Sequence, residues 1–429
     1  YFEERGQHKR SCEINRIVQG CVGVRRTTGQ HPGGIIVLPL GEEIYSFTPV
    51  QHPANDMTTS TVTTHFDYHS IDHNLLKLDI LGHDDPTMIR MLQDLIGLDP
   101  VKDIPLDSPE VMSLFQNTSA LGITPDDIGG CPLGALGVPE FGTDFAMQML
   151  IDAQPKYFSD LVRIAGLAHG TDVWLGNAKD LILSGQATIQ TAICCRDDIM
   201  VYLIQMGLEE GLSFTIMESV RKGKGLKPDW IEEMKKHDVP QWYIDSCLKI
   251  KYMFPKAHAA AYVMMAWRVA YCKVFYPLAY YAAFFSIRAN GFSYELMCLG
   301  RDKLEYHLAD FKKRSDSLSK AEQDTLRDMR IVQEMYARGY DFMPIDIYRA
   351  QADRFQVIDG RLMPSLSSIA GLGLNAAEGV VYAAKDGPFL SREDFRARTK
   401  VSKTICDLMS DLGLLGDLPE SNQLSLFDF

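Results

Sequence analysis

One segment of the sequence is dense in side chains that could bind a metal ion. His65, His69 and His73 are four residues apart, so on a helix they would share one face, and a histidine-rich site with carboxylates suits zinc, manganese or iron. In a second interpretation only Asp79 takes part in chemistry. It is then a carboxylate at the end of a buried strand, a position where magnesium ligands commonly lie. A polar loop followed by a core strand is the third, and spacing alone leaves all three open. The full group is His65, Asp67, His69, Asp72, His73, Asp79, His83, Asp84 and Asp85.

A glycine-rich turn, TTGQHPGG, precedes this segment. Its three glycines follow Arg25 and Arg26, so backbone N–H groups could approach phosphate oxygens while the arginines neutralise their charge. The order of residues matches neither a P-loop nor a dinucleotide-binding fingerprint. A tight turn that leads into a strand explains the pattern equally well.

Positive charge is concentrated in residues 219–256, which hold nine lysines and arginines against five acids, although the whole chain carries −13. The run RKGKG (221–225) alternates cations with glycine and could meet a polyanion, but such a run is also typical of a solvated face. In FPKAHAAAY, Pro255 suits the first helical position. Lys256 and His258 then fall in the first turn, and Tyr262 lies above His258. Helix N-termini favour anions such as a triphosphate, and a core helix with a satisfied histidine is the alternative.

Two further motifs lie near the end of the sequence. The turn Gly371-Leu372-Gly373 offers N–H groups at a helix N-terminus, which could hold a DNA phosphate without reading sequence, or could belong to a plain helical hairpin. The pentapeptide QLSLF, residues 423–427, is an apolar cluster on a polar tail. Such exposed anchors usually occupy a groove of a partner protein, and a tail without function is the alternative.

Length and composition limit the class of protein. With 429 residues, 46% hydrophobic and 23% charged, the chain should form two to four soluble domains. Nine cysteines without a CxxC pair favour a reducing cytoplasm, and charges inside the most apolar stretch, 257–285, exclude a membrane span. The first residues lack an initiator Met and predict a fragment of a longer protein.

Periodicity predicts an α+β, mostly helical chain. Strands are expected at 35–38 and within NLLKLDILG, where alternate side chains place Lys77 and Asp79 on one face. From about residue 100 to 290 the apolar spacing is helical, and a charged helix at 303–339 leads to a smaller unit with two helical hairpins.

These motifs occur in the order found in one protein family. Through RTTGQHPGGIIV, THFDYHSIDHNLLKLDILGHDDPT, HGTDVWLGNA, CRDDIMVYL, ESVRKGKGL, KYMFPKAHAAAY and QLSLF, the sequence resembles the C-terminal part of PolC-type DNA polymerase III alpha subunits. The resemblance implies part of a C-family, nucleotidyltransferase-like polymerase palm at 1–95 and helical fingers at 96–290. It also implies a duplex-binding domain with a tandem helix-hairpin-helix unit at 291–418 and a flexible clamp-binding tail at 419–429.

The resemblance also assigns roles to individual residues. Asp79 matches the third of three palm aspartates that hold two Mg²⁺ ions, and the turn with His31, Gly33 and Gly34 lies near that site. Six finger residues match positions that meet the triphosphate and sugar of the incoming nucleotide. Gly371 and Gly373 match phosphate-binding turns, and four tail residues match the peptide that docks into the sliding clamp, or beta subunit. The finger set is Arg221, Lys222, Lys224, Lys256, His258 and Tyr262, and the tail set is Gln423, Leu424, Leu426 and Phe427.

The implied function is replicative, DNA-directed DNA synthesis in the cytoplasm. Primer–template DNA, dNTPs and other replisome components are the expected partners, with no membrane involved. The upstream aspartate pair of the family has no counterpart in these residues, so the two-ion Mg²⁺ site is incomplete and we expect the chain alone to be inactive. The alternative is a non-catalytic, clamp-tethered DNA-binding module.

Overall fold

The structure, a computed structural model, describes residues 1–422 and forms two compact units. The first unit comprises Tyr1–His83, and the second begins at Asp84. The predicted domain boundary at residue 95 and the later boundaries stay predictions.

The first unit contains one α-helix, four short 3-10 helices and two small antiparallel sheets. Strand β1 pairs with β4 in a register that places Gly34 opposite Asp79 and Ile36 opposite Lys77. The sequence predicted both strands, because β-branched residues and alternating leucines favour extended backbone. The elements are α1 (Ser11–Cys21), β1 (Gly34–Val37), β2 (Val50–Gln51), β3 (Thr63–Thr64) and β4 (Leu76–Asp79).

The second unit is mostly helical, which confirms the coarse fold prediction. Up to residue 337 its helices are α2 (Asp84–Ile96), α3 (Pro109–Ser113), α4 (Asp144–Ala153), α5 (Phe158–His169), α6 (Lys179–Leu183), α7 (Arg196–Gln205), α8 (Glu210–Arg221), α9 (Pro228–Lys236), α10 (Gln241–Lys249), α11 (Lys256–Phe275), α12 (Pro277–Ala283), α13 (Tyr294–Met297), α14 (Arg301–Lys313) and α15 (Lys320–Ala337). Beyond them lie β5 (Gln356–Ile358), β6 (Arg361–Met363), α16 (Leu374–Ala384), α17 (Arg392–Thr399) and α18 (Lys403–Asp411).

Helix α11 lies in the main hydrophobic core of this unit. Trp267 is buried and donates from Nε1 to the carbonyl of Pro105 at 2.8 Å. One turn and a half later, Lys273 is fully buried and pairs with Glu334 of α15 at 2.9 Å. Glu334 also accepts from the Tyr281 hydroxyl of α12 at 2.6 Å. Because each buried charge has a partner, this network fixes α11 against α12 and α15.

The segment from α13 to α18 contributes a second hydrophobic cluster. Phe395 and Met409 are fully buried in it, on α17 and α18. Helices α16 and α17 approach closely at Gly379, where a Cβ would lie 2.9 Å from the carbonyl oxygen of Thr399. Of the two helical hairpins predicted here, the one around Gly371–Gly373 has a 3-10 turn and α16 as its arms, and SKTICDLMSDLGLLGDL forms the single helix α18 followed by turns. The contacts between helices in this part are instead α16–α17 and α17–α18.

Across residues 1–422, no helix has both the length and the apolar character that crossing a membrane requires.

Candidate functional site

Asp79 lies at the end of β4, beside the HPGG turn. Its Oδ1 is 3.9 Å from Nε2 of His31 and 3.4 Å from Nζ of Lys77, and about half of its side chain is exposed. The N–H groups of Gly33 and Gly34 donate to Nδ1 of His31, at 3.2 and 2.6 Å. Since Nδ1 accepts, the proton of a neutral His31 is on Nε2, which faces Asp79. The turn therefore orients an N–H donor toward the carboxylate.

Positions 33 and 34 of this turn require glycine, because other atoms lie very close to the backbone there. A Cβ on Gly33 would lie 2.6 Å from the carbonyl oxygen of Ile80, and a Cβ on Gly34 would lie 2.8 Å from Nδ1 of His31. Real Cβ atoms do not tolerate such distances, so any larger residue would displace the turn from β4. The structure thus brings together His31, Gly33, Gly34 and Asp79.

The prediction that Asp79 ends a buried strand is wrong. Leu76 and Leu78 are 60% and 46% exposed, and their cross-strand neighbours Val37 and Ile35 are also exposed. Within the first unit β1 and β4 form an isolated two-stranded ribbon, so no second layer covers this apolar face. Alternating leucines predicted burial because such a face normally packs on a core.

The residues around Asp79 do not form a two-ion magnesium site by themselves. Two hard cations need several oxygen ligands, whereas the nearest charged neighbours of Asp79 are Lys77 and His31. Among residues 1–422, Asp79 belongs to no group of three or more potential metal ligands. This part of the chain therefore supplies one carboxylate, that of Asp79, to such a site.

The helical histidine face is not formed. Residues 65–73 follow the short strand β3 and adopt a bend, a 3-10 turn and further turns, so the four-residue spacing does not align the imidazoles. His69 pairs with Asp67 at 2.9 Å, His73 with Asp72 at 3.5 Å, and His65 bonds to the amide oxygen of Gln51 at 2.7 Å. Each histidine has its own neighbour, and the zinc-type interpretation loses its geometric basis.

In the second unit, the predicted finger residues gather where α7, α8 and the start of α11 meet. The loop before α11 is held by two backbone hydrogen bonds, from Met253 N–H to the Arg221 carbonyl and from Arg196 N–H to the Phe254 carbonyl, each at 3.2 Å. The RKGKG turn follows α8, and its Gly223 lies so close to Lys251 that a Cβ would meet the Lys251 carbonyl oxygen at 2.5 Å. Lys224 is exposed in this turn. One surface therefore carries cations from three helices.

A carboxylate that the sequence reasoning missed, Glu218, binds several of these cations. Arg221 donates to it from Nε at 2.6 Å and from an Nη at 3.0 Å, and Lys222 lies 3.0 Å away. Nη1 of Arg196 lies 3.6 Å from the same carboxylate. The hydrogen bonds from Arg221, and after them those from Lys222, lower the pKa of Glu218 to about 2. The spacing of Glu218 three and four residues before Arg221 and Lys222 is the signal that could have found it.

The first turn of α11 already contacts two carboxylates of α7. Pro255 is the N-cap, one position before that predicted, and the N–H of Lys256 donates to Asp197 at 2.6 Å. Nζ of Lys256 donates to Asp198 at 2.9 Å. The first N–H group of this helix terminus, which the sequence suggested could favour an anion, is therefore already bonded to Asp197. Asp197 and Asp198 are more than fifty residues from Lys256, so local spacing could not reveal them.

His258 and Tyr262 lie on one face of α11 on successive turns, as the sequence predicted, and their rings contact each other at a tilt of 32° with centroids 4.4 Å apart. The ring of Phe254 also contacts His258, with centroids 4.8 Å apart. The edge of His169 approaches His258 at 5.6 Å, and its Nε2 is 2.7 Å from a carboxylate oxygen of Glu140. Burial, and then the neighbouring His169, lower the pKa of His258. The result is an aromatic surface beside the cations.

Glu140 and His169 are further residues that sequence reasoning gave no role. Glu140 has φ of +67°, a left-handed conformation that is unfavourable for a residue with a side chain. His169 begins the block HGTDVWLGNA, in which the resemblance assigns no site residue. Their contact joins the loop after residue 137 to the end of α5.

Gly371 and Gly373 lie immediately before α16. Gly371 has φ of +78°, and Gly373 is the N-cap of α16, where no side chain caps the helix. Among residues 1–422 no side-chain oxygen caps the first-turn N–H groups of α16, which suits the binding of a phosphate. The first arm of this hairpin is a single 3-10 turn, Leu366–Ser368. The predicted tail residues Gln423, Leu424, Leu426 and Phe427 lie outside the described residues.

Three family models match successive parts of the chain. They are described as the bacterial DNA polymerase III alpha NTPase domain, over residues 2–82, the bacterial DNA polymerase III alpha subunit finger domain, over 85–238, and the helix-hairpin-helix motif, over 339–424. The class defined by these matches and by the finger geometry is that of bacterial DNA polymerase III alpha subunits.

Curated relatives narrow this class. Proteins named DNA polymerase III PolC-type are 56% identical in Bacillus subtilis, 54% in Staphylococcus aureus and 52% in Caldanaerobacter subterraneus, each across 100% of this chain. The chain belongs to the PolC-type DNA polymerase III family. It spans about 30% of the length of these relatives.

Proposed function

We propose that this chain forms part of a replicative DNA polymerase, which transfers nucleotides from dNTPs to a primer 3′-hydroxyl on a DNA template. The names of the relatives support the activity. The observation that carries the proposal is the surface at which α7, α8 and α11 bring Arg221, Lys222 and Lys256 beside the stacked pair His258 and Tyr262.

On this surface the cations bind the triphosphate of the incoming nucleotide. Arg221 can give a fork of N–H donors to phosphate oxygens, and Lys222, Lys224 and Lys256 add point charges. His258 and Tyr262 meet the sugar, because their rings extend the surface along one face of α11. The alanines between them leave room for a flat group.

In the palm, Asp79 supplies one oxygen ligand to a divalent cation of the magnesium type. Its remaining ligands come from residues beyond this set, since the described neighbours are His31 and Lys77. His31, Gly33 and Gly34 hold the carboxylate in place through the turn described above. The predicted palm (1–95), fingers (96–290), duplex-binding domain (291–418) and tail (419–429) remain the proposed division.

The segment around Gly371 and Gly373 binds the phosphates of the product duplex. An uncapped N-terminus on α16 supports this role, and so does the match to the helix-hairpin-helix motif. For the tail we keep the proposal that Gln423, Leu424, Leu426 and Phe427 dock into the sliding clamp of a replisome. We place the protein in the cytoplasm, since all nine cysteines, which lie at described positions, are free thiols.

A chimera tests the activity without assuming where the natural chain begins. This chain replaces the matching region of the Bacillus subtilis PolC-type polymerase, to which it is 56% identical. We expect primer extension at a rate close to that of the parent enzyme, and none from the isolated 429-residue chain. A folded chimera that binds primer–template but does not extend it would contradict the proposal.

A second candidate is a non-catalytic DNA-binding module, which the solitary position of Asp79 favours. In that case the isolated chain binds duplex DNA with an affinity that falls steeply with salt, because phosphate contacts release counterions. The chimera distinguishes the two functions. If this chain only binds DNA, the chimera will be unable to extend a primer.

A further inference from the structure

Glu218 is placed where a phosphate group of the nucleotide would bind. Its two carboxylate oxygens accept the paired donors of Arg221 and lie within 4 Å of Lys222 and Arg196. Arginine forms the same bidentate pair with a carboxylate as with a phosphate. The carboxylate therefore occupies the donors that the proposed function assigns to the triphosphate.

The cation cluster is not saturated by this carboxylate. Nε of Arg196 is buried and makes no hydrogen bond to any described residue. Its guanidinium is 3.6 Å from Glu218 and 3.9 Å from Asp197, which are ion-pair rather than hydrogen-bond distances. Lys222 is about half exposed. A ligand with more oxygens than one carboxylate could thus satisfy donors that Glu218 leaves unused.

We propose that Glu218 is an internal competitor for polyphosphate, holding the cations in place until a nucleoside triphosphate displaces it. This inference rests on the proposed function. Arg221 keeps its orientation in both states, because one planar acceptor replaces another. A single inorganic phosphate gains too few contacts to displace Glu218, whereas a triphosphate can reach Arg221, Lys222 and Arg196 together. Glu218 is therefore a specificity-determining residue that selects for longer polyphosphates.

Isothermal titration of the 429-residue chain with inorganic tripolyphosphate tests the competition. Glu218→Gln keeps a hydrogen-bonding side chain and removes the competing charge, so we expect tripolyphosphate to bind about fivefold to tenfold more tightly at low ionic strength. The gain should shrink as salt is added. Glu233→Gln is the matched control, because it also releases a lysine, Lys236 at 3.1 Å, on another helix of the same unit. Its affinity should equal that of the wild type.

The possible failures are distinguishable. If Arg221→Gln weakens tripolyphosphate binding but Glu218→Gln leaves it unchanged or weaker, the competitor inference is overturned and the triphosphate site stands. If Arg221→Gln has no effect either, the triphosphate role of this surface is wrong as well. Should Glu218→Gln fail to fold, the NMR signal of the Arg221 Nε–H in the wild type decides. It should shift on addition of tripolyphosphate, and a signal that stays unchanged at saturation overturns the inference.

Discussion

Gly34 lies directly opposite Asp79 in the antiparallel pair of β1 and β4, and the space that a Cβ would take at Gly34 is closed by the imidazole of His31. The carboxylate proposed to bind a cation is thus positioned by a residue that has no side chain. The position of the carboxylate therefore depends on the HPGG turn as much as on Asp79 itself.

Gly34→Ala should disturb the turn and reduce primer extension by the chimera at least tenfold. The added methyl group would lie 2.8 Å from Nδ1 of His31 and 3.3 Å from Oδ1 of Asp79, and overpacking of this kind costs about 1–3 kcal/mol. Gly29→Ala is the control, because nothing lies within 4 Å of its added Cβ. Equal extension rates for the two variants would show that the close approach has no functional role.

Tyr262→Ala in the chimera should raise the KM of the chimera for dNTPs about tenfold, because the substitution removes the ring that packs against His258. Tyr262→Phe keeps the ring and should stay within about threefold of the parent value. Tyr306, 73% exposed on α14, gives the control variant Tyr306→Ala. A KM that does not respond to loss of the Tyr262 ring would remove this face of α11 from the nucleotide site.

Asp328 predicts a pH-dependent stability. Burial raises the pKa of Asp328 from its usual value to about 6, although the Gly291 N–H donates to it at 2.7 Å. Because the folded pKa lies above the unfolded one, the ionised carboxylate destabilises the fold above pH 6, and this penalty disappears as the pH falls toward about 4. Asp328→Asn should therefore increase the free energy of unfolding by about 1–3 kcal/mol at neutral pH and have little effect in acid.

Urea denaturation across this pH range checks the prediction, with the exposed Asp316→Asn as control. A constant difference between wild type and Asp328→Asn at every pH would mean that the carboxyl does not titrate as proposed.

Gly371→Ala should weaken duplex binding by the isolated chain. Its φ of +78° is strained for alanine, and the new Cβ would lie 2.7 Å from a terminal methyl of Ile405. Gly371→Asn tolerates the left-handed backbone better and should lose less affinity. Fluorescence anisotropy with a labelled duplex measures both. If Gly371→Ala binds the duplex as tightly as wild type, the turn before α16 does not contribute to duplex binding.

Local features of the site could be predicted from the sequence. The contact of His258 with Tyr262 follows from a spacing of four residues on one helix, and strands β1 and β4 follow from two apolar runs, although their pairing was not predicted. Features that depend on residues far apart in the sequence could not be predicted. The capping of α11 by Asp197 joins positions 59 residues apart, and the contact of His169 with Glu140 joins two segments that no periodicity relates.

The exposed face of β4 shows a different limit. Leu76 and Leu78 have the pattern of a core strand, and the sequence contains no signal that the first unit lacks a second layer against them. Burial depends on what packs against a strand, whereas alternation reports only which residues share a face.

The most direct test of the central claim is primer extension by the chimera carrying Asp79→Ala. Asp72→Ala is the matched control, since Asp72 is an exposed acid of the same unit that pairs with His73. We predict that Asp79→Ala abolishes extension while duplex affinity stays close to that of the parent, and that Asp72→Ala extends normally. Extension by Asp79→Ala at the parental rate would contradict the assignment of this chain to the catalytic part of a polymerase.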